Sequence, residues 1–198
     1  MLPVTVPYAA PAANGKHLLD VYQPQSGSVH TVVIFIHGGG LTEGDRRWYR
    51  AVGASLAQGG YVAVLPSYRY YPAVDPLGSA HDVVEAIAWT ARHIARYGGN
   101  PSHIVLAGHS AGSWMVDLVM MNQSVWNGTG FSHAPVAAAA YDPGTCNDRD
   151  TYARALRGAG IDVTVYTDTG THMGEVEHLH TRGSKLRTVF DTWVWKIA

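Results

Sequence analysis

Short apolar runs alternate along this chain with stretches in which apolar residues recur every three or four positions. The runs predict strands at Leu18–Tyr22, Thr31–Ile36, Tyr61–Leu65, His103–Ala107, Pro135–Tyr141 and Asp162–Tyr166. Thr31–Ile36 is continuously apolar after its first residue, as expected of a central strand covered on both faces. The helical stretches are Trp48–Gln58, Ser79–Tyr97, Ala111–Met121, Asp150–Arg157 and Arg182–Ile197. In the second of them Val83, Val84, Ile87, Ala88, Ala91 and Ile94 form one apolar face. Ser79 with Asp82 resembles a capping pair at its start, and Gly98-Gly99 stops it. Strands separated by helices predict an α/β class in three layers, a mostly parallel sheet with helices on both faces, and one domain over residues 1–198.

Composition changes this picture little. The 198 residues are 46% hydrophobic, enough for a substantial core. The formal net charge is -1 and the basic residues form no run, so neither nucleic acid nor an anionic surface is an expected partner. The single cysteine, Cys146, has no partner for an internal disulfide, and no metal site is expected. Met1–Pro11 lacks the basic and apolar regions of a signal peptide, and no apolar run approaches a bilayer span. The expectation is a cytoplasmic enzyme without cofactor or stable membrane insertion, acting on a small molecule, with room for a homodimer.

Two glycine-rich segments carry the chemistry. Gly108-His109-Ser110-Ala111-Gly112 matches G-x-S-x-G between a predicted strand and a predicted helix, the context in which that motif presents a nucleophilic serine. Outside this context it would be a turn whose serine caps a helix. His37-Gly38-Gly39-Gly40 follows the strand 31–36 directly. Glycines there let backbone amides approach a developing oxyanion, and the Ala111 N–H beside Ser110 is the natural further donor. A phosphate-binding loop would need G-x-G-x-x-G or a following Lys-Ser/Thr, and neither is present. His37 reads as a residue that orients the loop.

With both motifs in place, the chain resembles the hormone-sensitive-lipase-like and related small carboxylesterase branch of the α/β-hydrolases, a group that includes aryl formamidases and feruloyl or acetyl esterases. The likeness runs from Leu19-Asp20-Val21-Tyr22-Gln23-Pro24 through Tyr61–Tyr68 to the stretch Gly98–Gly112. It implies an α/β-hydrolase fold and an oxyanion hole built from Gly39, Gly40 and Ala111. It also implies a triad in the order serine, acid, histidine. Asp142 of Tyr141-Asp142-Pro143 stands where relatives place the acid, at a strand end. His172 follows Thr167-Asp168-Thr169-Gly170-Thr171 and resembles the family's terminal histidine loop. His178 is the backup base, and Asp148, Asp150 and Asp168 read as capping or turn residues. The segment 111–141 between Ser110 and Asp142 is shorter than in such relatives, and no helical cap precedes Leu18. A sheet reduced in its C-terminal half and an open site without a large cap are therefore expected. Trp114, Trp126 and Phe131 are candidate pocket residues.

The implied reaction is hydrolysis of short-chain or aryl carboxylic esters through an acyl-enzyme. An aryl-formamidase-type amidase would use the same triad. A non-catalytic ligand-binding protein on the same scaffold and a metal-dependent hydrolase using His178 and His180 are the remaining classes.

Overall fold

The computed structural model describes residues 2–10, 15–27, 29–132, 138–140 and 173–197. Among these, six strands form one sheet: β1 (Val4–Pro7), β2 (Leu18–Tyr22), β3 (His30–Ile36), β4 (Val62–Pro66), β5 (Gly99–Gly108) and β6 (Ala138–Ala140). Their order is β1-β2-β4-β3-β5-β6. The four strands from β4 to β6 run parallel, and β2 pairs antiparallel with both β1 and β4. The expected mostly parallel sheet is present. The edge strand β1 was not expected. Its residues are largely exposed, so it lacks the apolar run that marks a covered strand.

The sheet is covered on both faces, and strand alternation sorts its residues between them. Val32, Ile34, Ile36, Val62, Val64, Ile104 and Leu106 pack with α2 (Pro76–His93) and α3 (Ala111–Met121). Val33, Phe35, Ala63, Leu65, Val105 and Ala107 face the other way, toward α1 (Arg50–Gln58) and the last helix. Two helices follow residue 172: α4 (Gly174–His180) and α5 (Lys185–Ile197). Gly183 at φ 84° breaks the chain between them, and Ser184 Oγ accepts the Arg187 N–H at 3.0 Å, so the last helix starts later than expected.

Buried charge pins α5 in place. Arg187 donates from Nε to Asp191 Oδ1 at 2.8 Å and from Nη1 to Ser55 Oγ of α1 at 2.9 Å, while the Tyr61 hydroxyl donates to the same Asp191 oxygen at 2.9 Å. Removing one partner would strand a buried guanidinium, so this bond set fixes α5 against α1.

Helix α2 corrects one expectation. It begins at Pro76, where a missing N–H is harmless, and Asp75 Oδ1 accepts the Gly78 N–H at 2.7 Å. Asp82, expected in a capping pair, is buried instead and takes two guanidinium bonds from Arg69 at 2.9 and 2.6 Å. The expected stop is as anticipated: a short 3-10 turn, Ile94–Tyr97, ends at Gly98 with φ 78°. The helix expected from Trp48 starts as a 3-10 turn, Arg46–Tyr49, capped by Asp45, before α1 takes over. The expected strand 162–166 and helix 150–157 lie outside the described residues.

Candidate active site

β3 and β5 are neighbours, with Ile36 opposite Gly108. The loops that leave their C-terminal ends therefore emerge side by side, at the edge where parallel sheets place their sites. The loop after β5 is the sharp turn expected of G-x-S-x-G. Ser110 sits at φ 55°, ψ −122°, a strained conformation for any residue with a side chain, and α3 starts immediately after it. The flanking glycines are required by contact. A Cβ on Gly108 would lie 2.5 Å from the Gly112 carbonyl carbon and oxygen, and one on Gly112 would lie 2.1 Å from the Ile36 carbonyl oxygen.

Ser110 occupies the N-cap position of α3, yet its side chain makes no capping bond. A serine placed there for the helix would cap it. Ser110 instead lines a cavity of about 390 Å³, together with Gly39 and Gly40 from the loop after β3. Ala111 opens α3 beside it, in the first turn where amide groups lack intrahelical acceptors.

The loop after β3 is held peptide by peptide. The peptide linking His37 to Gly38 is clamped at both ends: the Tyr68 hydroxyl donates to His37 O at 2.8 Å, and Gly38 N–H donates to Tyr49 Oη at 3.1 Å. The next peptide is fixed by His37 itself, whose Nδ1 lies 2.8 Å from Gly38 O and donates to it. In a trans peptide N–H and C=O point in opposite directions. The bond to Gly38 O thus turns the Gly39 N–H away from the buried imidazole. Gly39 at φ 130° then accepts the Thr42 and Glu43 amides at 3.1 Å each, closing a tight turn. His37 is the loop-orienting residue its position suggested.

His37 is buried and stacks on Tyr68, with ring centroids 4.2 Å apart and planes within 9°. Its Nε2 has no hydrogen-bond partner among the described residues. Burial lowers its pKa from 6.5 to about 4, against the smaller opposing pull of the Gly38 carbonyl. As pH falls, the unfolded chain therefore binds this proton first. The stability His37 contributes is complete above about pH 6.5 and is lost progressively toward pH 4. Urea unfolding at pH 5.5 should give a stability about 1 kcal/mol below that at pH 7, and His37→Gln should flatten that difference. An equal loss in the variant would count against this origin.

Among the described residues, the remaining walls of the cavity come from Thr42, Glu43, Trp48, Tyr49 and His109, and from Met173 and Val176 at the start of the C-terminal helices. Trp48 is 61% exposed and lines the cavity at its rim. The aromatic candidates Trp114, Trp126 and Phe131 do not line this cavity. Trp126 is buried under α3 with Nε1 donating to Val119 O at 2.8 Å, Phe131 packs beneath the Arg92 guanidinium, and Trp114 lies on an outer face of α3. Trp48 and Tyr49 were missed because they follow a capping aspartate and read as the first turn of a helix. The available signal was their closeness in sequence to the glycine loop. Asp142 and His172 lie outside the described residues, as do Asp148, Asp150 and Asp168. His178 and His180 lie on α4.

A family model described as BD-FAE matches residues 19–134. A probable isoprenylcysteine alpha-carbonyl methylesterase from Oryza sativa subsp. japonica is 31% identical over 111 residues, covering 56% of this chain and 26% of that protein. Esterase B from Lactobacillus rhamnosis superposes with a TM-score of 0.61 at 26% identity, covering 70% of this chain and 47% of that one. Esterase 2 from Thermogutta terrifontis, in a structure phosphoramylated by tabun, covers 99% of this chain and 95% of that one with a TM-score of 0.80 at 18% identity. That last likeness shows the α/β-hydrolase fold. The chain spans about a quarter of the length of the curated relatives it matches. Among the described residues no helix is long and apolar enough to cross a membrane.

Proposed function

The chain belongs to the BD-FAE family, and on that premise we propose that it is a serine carboxylesterase that cleaves short-chain or aryl esters through an acyl-enzyme. The observation that carries this reading is Ser110, held at φ 55° without a capping bond, in one cavity with Gly39 and Gly40. Strain at a residue whose hydroxyl has no part in the helix points to function.

His172 takes the Ser110 proton as the hydroxyl oxygen attacks the ester carbonyl. Asp142 holds the imidazole in the required tautomer and stabilises its cation. The carbonyl oxygen becomes an alkoxide facing the amides of Gly39, Gly40 and Ala111. Collapse of this intermediate expels the alcohol, which takes the proton from His172. Water then attacks the acyl-enzyme by the same route and releases the acid. Two neighbouring features support the partners chosen. Met173, next to His172 in the chain, lines the cavity that holds Ser110. β6 ends at Ala140, two residues before Asp142, and Ala140 pairs with Ala107 of β5, close to the elbow. Trp48, Met173 and Val176 give the cavity an apolar wall suited to an aryl or short acyl group.

The test is a chromogenic butyrate ester offered to the folded protein, alongside treatment with a fluorophosphonate. Turnover and a single mass increment on the peptide containing Ser110 are expected. Folded protein that neither turns over the ester nor takes up the label would overturn the proposal.

A further inference from the structure

Three separate chain segments meet at one phenol. Tyr49 Oη accepts the Gly38 N–H at 3.1 Å and lies 2.8 Å from His109 Nδ1. Gly38 belongs to the loop after β3, and His109 immediately precedes Ser110. These two segments touch directly as well, since a Cβ on Gly38 would lie 2.9 Å from His109 O and 3.0 Å from Ser110 Cβ. Tyr49 itself rides on a third element that is anchored elsewhere. In the 3-10 turn Arg46–Tyr49, Asp45 caps the start, Arg46 N–H donates to Ser67 Oγ at 3.1 Å, and Arg46 Nε donates to Asp20 of β2 at 2.9 Å. The ring is wedged against Phe35 at 5.3 Å and His37 at 6.5 Å between centroids.

We propose that Tyr49 is a positioning residue for the ester hydrolysis assigned above: its hydroxyl bridges Gly38 N–H and His109 Nδ1, and so fixes the spacing between the amides of the β3 loop and the elbow that carries Ser110. This inference rests on the esterase reading. A phenol hydroxyl offers one proton and accepts others. Gly38 N–H occupies one acceptor position of Tyr49 Oη, and a single proton joins that oxygen to His109 Nδ1 at 2.8 Å. The consequence for chemistry is geometric. Amides from Gly39 and Gly40 and the amide of Ala111 come from two different loops, and they stabilise one alkoxide only at a common distance from it. Misplacing one set by a fraction of an ångström weakens binding of the transition state and leaves the ground state almost untouched.

Tyr49→Phe removes the bridge and keeps the ring. For butyrate ester hydrolysis the expected result is a kcat about tenfold lower with KM within about twofold of wild type. His109→Leu should lose a similar amount. His109→Asn, whose carboxamide can accept from or donate to the phenol, should recover most of the wild-type kcat. The double variant Tyr49→Phe/His109→Leu should be no slower than the worse single variant, because both break one link. The His109 Nδ1 resonance, read by ¹⁵N NMR in folded protein, should move in Tyr49→Phe. A wild-type kcat in Tyr49→Phe, a loss confined to KM, additive losses in the double variant, or an unmoved His109 resonance would each overturn the inference. Wild-type protein that fails to hydrolyse the ester would overturn the esterase reading instead, a result the Tyr49 variants do not produce.

Discussion

Ser110→Ala is expected to lower kcat/KM for a butyrate ester by about 10⁴-fold or more and to abolish fluorophosphonate labelling, while the protein folds as before. The loss is large because the proposed nucleophile has no substitute, and the remaining amides can stabilise only an uncatalysed attack by water. Folding should be spared because the hydroxyl does not cap α3. A serine that capped the helix would cost about 1 kcal/mol on removal. Ser110→Gly separates the two effects further. Glycine reaches φ 55° without a Cβ clash, so this variant should be as inactive as Ser110→Ala and about 1 kcal/mol more stable than it. Steady-state kinetics and urea unfolding of the three proteins check both statements. Retention of wild-type turnover in either variant would remove Ser110 from the mechanism.

Gly112→Ala should damage the fold as well as the site. The added Cβ would stand 2.1 Å from Ile36 O and 2.7 Å from His37 O, both backbone atoms of the neighbouring strand end. No side chain can swing aside there, so α3 must move away from β3 and carry Ser110 with it. A destabilisation of about 3 kcal/mol or more is expected, together with loss of labelling at Ser110. Gly60→Ala is the control. Its φ of 95° disfavours alanine, but among the described residues, its own chain neighbours apart, no atom lies within 4 Å of the new Cβ. That variant should lose about 1 kcal/mol and keep its activity. Equal losses in the two variants would mean that conformational preference alone, without the contact at β3, accounts for Gly112.

Much of the fold was legible because its strands are covered on both faces. Thr31–Ile36 and His103–Ala107 announce central strands by continuous apolarity, and Val83 to Ile94 announce the inner face of α2 by their spacing. The edge strand β1 and the true start of α2 were not legible in that way. β1 buries little, so its pairing with β2 leaves no apolar signature. At α2, Asp75 and Ser79 are both sound caps by residue type. Asp75 is the cap, with Pro76 opening the helix, while Asp82 is the buried partner of Arg69 instead of the second member of a pair with Ser79.

Near the cavity, the motifs alone announced the sharp turn at Ser110 and the tight turn of the glycines after β3, since each imposes its own local geometry. The cavity's other walls were not accessible by the same reasoning. Trp126 and Trp48 are equally aromatic in the sequence, yet one lies in the core and the other at the rim. Local sequence therefore determined the strand–turn–helix unit around Ser110, the glycine loop and the alternation of strands and helices, because steric limits on φ and short-range spacing act within a few residues. Which side chains surround that serine, and how Tyr49 comes to bridge two loops, was decided only by the packing of β3 beside β5 and of the 3-10 turn across them. Contacts between segments distant along the chain depend on the relative placement of whole elements, and no pattern within one element encodes that.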